Sequence, residues 1–116
     1  MALPPVRGEV LPLDVVVKKW GSSEFNPDKF KLATIEERAQ MAASILRGKN
    51  KFVGLPRGEI RKSLGDYSGF YVSGMYPTYL IQDARTSSDE AWQLVFLIDV
   101  DGKIRDVVVH KNCCYP

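Results

Sequence analysis

The side chains that could do chemistry gather towards the C-terminal end: Asp99 and Asp101 on either side of a valine, the single histidine His110, and the adjacent thiols Cys113 and Cys114. Nucleophilic catalysis needs a base held beside a nucleophile, and no G-x-S-x-G motif or comparable serine or cysteine setting accompanies His110. Residues this close along an extended strand diverge in direction, so proximity does not make His110 and the cysteines a catalytic pair. Asp99-Val-Asp-Gly102 is explained by turn chemistry, and it lacks the glutamate that completes a calcium loop. Metal thiolates are usually spaced as C-x₂₋₄-C with further ligands, whereas here only His110 is added. Neighbouring cysteines also cannot cross-link distant parts of a fold, so two free thiols in a reducing compartment are expected. Glycine-rich phosphate loops are absent. The expectation is a protein with no catalytic residues, no cofactor and no metal.

The elements that must position these residues belong to one core, as befits 116 residues with 45% apolar content. No apolar window approaches the roughly 18 residues of a membrane span. Met1-Ala-Leu-Pro-Pro5 breaks the pattern of a secretory leader, so a cytoplasmic location is expected for a whole gene product and a periplasmic one for a trimmed mature form. The net charge of +2 hides an asymmetry: residues 1–64 carry twelve Lys/Arg against seven Asp/Glu, and residues 65–116 carry four against seven. Arg47, Lys49, Lys51, Arg57, Arg61 and Lys62 fall within sixteen residues containing one acid, Glu59. Without interleaved exposed aromatics or a recognition helix, this run is read as a solvated basic face and no nucleic-acid partner is expected.

Residues 1–24 read as an extended N-terminal arm, with Pro4, Pro5 and Pro12 opposing helix and Leu13-Asp-Val-Val-Val-Lys-Lys19 carrying a β-branched run. Residues 25–116 read as a single α+β domain. Asn26-Pro27 starts a helical turn containing Phe30, and Thr34-Ile-Glu-Glu37 fits a capping box. The helix that follows runs to about Arg47, with Ile35, Ala39, Ala42, Ile45 and Leu46 inward and Glu36, Glu37, Arg38 and Gln40 outward. A second short helix spans Pro56 to Leu64 and ends at Gly65. Strands are predicted over Phe70–Val72, Tyr76–Gln82, Ala91–Asp99 and Lys103–His110, the last two joined by a turn at Asp101-Gly102. The predicted architecture is therefore two N-terminal helices packed on one face of a three- to four-stranded antiparallel sheet.

Trp92, Leu94, Phe96 and Ile98 share one face of their strand, while Gln93, Val95 and Leu97 share the other. In a single helix-on-sheet layer the second face is solvated unless a partner or the N-terminal arm covers it. Tyrosine combines an apolar body with a polar tip, which suits interfaces. Tyr71, Tyr76, Tyr79, Val95 and Leu97 are accordingly the candidate partner contacts, with Asp83, Asp89 and Glu90 as an acidic rim.

The order of Arg38-x-x-Met41-x-x-x-Ile45-Leu46, Gly54-x-x-x-Gly58-Glu59-Ile60-x-x-x-Leu64-Gly65, Tyr79-Leu80 and Leu94-x-Phe96-x-Ile98-Asp99-x-Asp101-Gly102-Lys103-Ile104 resembles the helix-helix-sheet modules of the small outer-membrane assembly lipoproteins. It is similar, too, to the repeats of β-lactamase inhibitor protein. The resemblance covers roughly residues 34–109, and it implies two helices against one antiparallel sheet that meets another protein. The expected function is that of a non-catalytic protein-binding module, an inhibitor or toxin-neutralising immunity protein of bacterial type that occludes its partner. An envelope assembly or scaffold domain is the alternative. Partner identity and oligomeric state are not written in the sequence.

Overall fold

The computed structural model describes residues 10–69, 76–82 and 91–112. Among them the chain order is β1 (Val10–Leu11), α1 (Leu13–Trp20), α2 (Pro27–Leu32), α3 (Ile35–Arg47), a 3₁₀ turn (Lys49–Lys51), α4 (Arg57–Leu64), β2 (Thr78–Gln82), β3 (Ala91–Ile98) and β4 (Ile104–Asn112). The fold is α+β: four helices precede the three long strands of a four-stranded antiparallel sheet ordered β1-β4-β3-β2. Helix α3 packs on β2 and β4, α1 and α2 pack on α3, and α4 packs on α2. The expected strand at Phe70–Val72 lies outside the described residues.

Local sequence explains most of the helix ends. Asn26 Oδ1 accepts from the Lys29 amide at 3.1 Å, and Pro27 supplies a first turn that needs no donor. The capping box of α3 is complete, with Glu37 N donating to Thr34 Oγ1 at 3.2 Å and Thr34 N donating to Glu37 Oε1 at 2.9 Å. The alanines Ala39, Ala42 and Ala43 are buried, which lets α3 lie close to the sheet.

Leu13–Trp20 is a helix, which overturns the expectation of a strand in an extended arm. Its three consecutive valines favour strand locally, but Leu13, Val17 and Trp20 recur at one helical face around the fully buried Val16, and burial outweighs the weak propensity. Pro12 sits at the N-cap, where it costs nothing, and Asp14 and Lys18-Lys19 complement the helix dipole. The neighbouring Val10–Leu11 does add to the sheet edge, pairing with His110 and Val109.

Five aromatic rings close a circuit through the core: Phe25 to Phe30, Phe30 to Tyr79, Tyr79 to Phe96, Phe96 to Phe52 and Phe52 back to Phe25, with centroids 5.3–6.1 Å apart and edge-to-face angles. These rings come from α2, β2, β3 and two connections, so a single packing unit ties the helical layer to the sheet. Each such pair contributes about 0.5–1.5 kcal/mol beyond its buried area.

The second face of the sheet is not bare. Thr78, Val95, Gln93 and His110 share that face through the pairings Thr78–Val95, Val95–Val108 and Gln93–His110, and all four are buried. The segment after α4 folds back along the sheet edge, where Ser68 N and Gly69 N donate to Thr78 O at 3.1 and 3.0 Å. Gly69 lies so close to the Gln93 side chain that any Cβ there would collide with it.

Candidate interaction surface at the hairpin end

The sequence-predicted contact residues do not form one surface. Tyr79 is fully buried, which corrects its assignment as a contact: its ring meets Phe30, Phe96 and Tyr67, and its hydroxyl donates to Gly65 O at 2.8 Å. Burial, reinforced by nearby Tyr67, pushes its phenol far above the ordinary range, although Arg38 and Arg61 pull the other way. Val95 is likewise fully buried, so it cannot touch a partner. Tyr76 and Leu97 are half-buried, Tyr76 against the core. Tyr71, Asp83, Asp89 and Glu90 lie outside the described residues.

Arg38, expected to face solvent, is also interior, with 9% exposure. Its Nε donates to Phe30 O at 3.0 Å and Nη2 to Lys31 O at 3.3 Å, so the guanidinium satisfies carbonyls at the end of α2. Nη1 reaches Ser68 Oγ at 3.4 Å, and the cation lies 4.7 Å from the Phe30 centroid and 5.5 Å from that of Tyr79. Burial lowers its pKa from the usual arginine value. This is a fold-holding arrangement.

Exposed apolar side chains instead gather where β3 turns into β4. The turn is fixed by its first residue: Asp99 Oδ1 accepts from Asp101 N at 2.9 Å and Lys103 N at 3.0 Å, while Asp99 N donates to Lys103 O at 2.8 Å. Gly102, with φ +78°, adopts the left-handed conformation that the turn demands. Asp99 is thereby committed to backbone amides. Val100, between the two aspartates, is 101% exposed.

The connection between α3 and α4 clasps this hairpin. Gly54 N donates to Ile104 O at 2.7 Å, Ile104 N to Leu55 O at 2.8 Å and Arg57 N to Gly102 O at 3.0 Å, and Pro56 forms a bridge with Lys103. Two residues beyond Ile104 along β4, Lys49 Nζ pairs with Asp106 Oδ1 at 2.9 Å. Burial raises the Asp106 pKa, but the bonds from Lys49 and the Val107 amide outweigh it and leave the carboxyl below its ordinary value. The clasp brings Val53 (44% exposed) and Leu55 (37%) to the same end as Val100. Two other exposed apolar residues, Val10 and Leu32, lie on other elements and need no explanation.

In the sequence Asp99-Val-Asp-Gly102 reads as a turn, and that reading alone does not expose Val100 as a candidate contact. A signal was present, since a β-branched apolar residue stands where turns usually carry polar ones. No family model, curated protein or solved structure matches the chain. Among the described residues no cluster of His, Cys, Asp and Glu could hold a metal ion, and no helix is long and apolar enough to cross a membrane.

Proposed function

We propose that this protein is a non-catalytic protein-binding module that occludes a partner protein, in the manner of an inhibitor or a toxin-neutralising immunity protein. The observation that carries the reading is the wholly exposed Val100, held on a turn whose backbone is hydrogen-bonded both internally and to the clasp. A loop held in one conformation loses little entropy on docking, so its contacts convert efficiently into affinity. Val53 and Leu55, exposed on the connection that clasps this hairpin, add apolar surface at the same end. The Asp99 carboxylate serves the geometry of the turn, so the reading rests on shape and burial.

The test is to purify the partner that the native protein retains from its source cells and to assay that partner's own activity. The expected result is loss of that activity at stoichiometric ratio and its recovery when Val100→Asp replaces the native protein. Full partner activity in the saturated complex would contradict occlusion.

A further inference from the structure

We infer that the surface meeting the Val100 end is acidic around an apolar recess. This rests on the occlusion reading above and adds the chemistry of the partner. The segments that build the end, residues 47–62 and 99–106, carry eight Lys/Arg and four Asp/Glu, whereas the whole chain is only +2. Three of those acids are already committed: Asp99 to turn amides, Asp106 to Lys49 and Glu59 to Lys62. Arg47, Lys51 and Lys103, by contrast, are exposed and make no ion pair among the described residues. They stand on the same two segments as Val53, Leu55 and Val100, so a partner that docks on this end meets an excess of positive charge. A cationic partner would leave them facing like charge, at a cost in both encounter rate and affinity. Nucleic acid would meet the bases but not Val53, Leu55 and Val100, which have no stacking face to offer it.

The probe is a synthetic peptide repeating Asp-Glu-Leu, compared with one repeating Lys-Arg-Leu and with an oligothymidylate, each titrated into the isotope-labelled full chain while amide resonances are followed. The acidic peptide is expected to shift the amides of Val53 to Leu55 and Val100 to Lys103. Its binding is expected to weaken several-fold when sodium chloride rises from about 0.05 to about 0.3 M, and again in the double variant Lys51→Glu, Lys103→Glu, whose thermal midpoint is recorded as the folding control. Preference for the basic peptide, or tighter binding of the oligonucleotide at this end, overturns the inference. If Val100→Asp abolishes peptide binding while charge reversal leaves it unchanged, the acidic partner is refuted and the docking end survives. If neither substitution matters, both fall.

Discussion

Tyr79 and Arg38 show how one residue type serves opposite ends. A tyrosine on a strand reads equally as interface or core from sequence, and here the ring circuit claims it. Tyr79→Ala should therefore cost about 3–5 kcal/mol, as large-to-small core changes do, while Tyr79→Phe loses only the bond to Gly65 O, about 1 kcal/mol; urea midpoints separate the two. Arg38 was legible as helical but not as buried, because charge periodicity places it outward and nothing local reveals the α2 carbonyls it caps. Arg38→Ala should destabilise by about 2 kcal/mol. His110 gives a pH prediction. Burial lowers its pKa below the ordinary 6.5, although the bond to Lys111 O opposes this. The unfolded chain then binds the proton more readily, so the neutral ring's contribution to stability is present above pH 6.5 and is lost as pH falls towards the lower folded value. Thermal midpoints should drop as pH falls below 6.5, and His110→Gln should flatten the drop.

Elements were legible where a side chain closes its own local hydrogen bonds. Thr34 with Glu37, Asn26 before Pro27, and Asp99 with Gly102 announce their caps and turn, and the structure forms each of them. Thr34→Ala should cost about 1 kcal/mol in chemical denaturation. Gly102→Ala, forced into φ +78°, should cost about 1–2 kcal/mol. Helix α1 was not legible, because Val15-Val-Val17 speaks for strand and only the partner surface of α3 decides otherwise. The burial of the second sheet face was equally hidden. It is visible only when Ser68 and Gly69 are seen folded back on Thr78, a return that no periodicity encodes.

At the scale of the molecule, the aromatic circuit and α3 hold the sheet while the α3–α4 connection and the β3–β4 turn brace each other at one end. The core and the exposed Val100 end are thus separate, and a change at Val100 should leave the fold intact. The most direct measurement is calorimetric titration of the captured partner into native protein and Val100→Asp, with thermal unfolding of both. The account predicts stability within about 0.5 kcal/mol and affinity at least tenfold weaker, the equivalent of about 1.4 kcal/mol. Unchanged affinity in a folded Val100→Asp protein would show that this end is not where the partner docks.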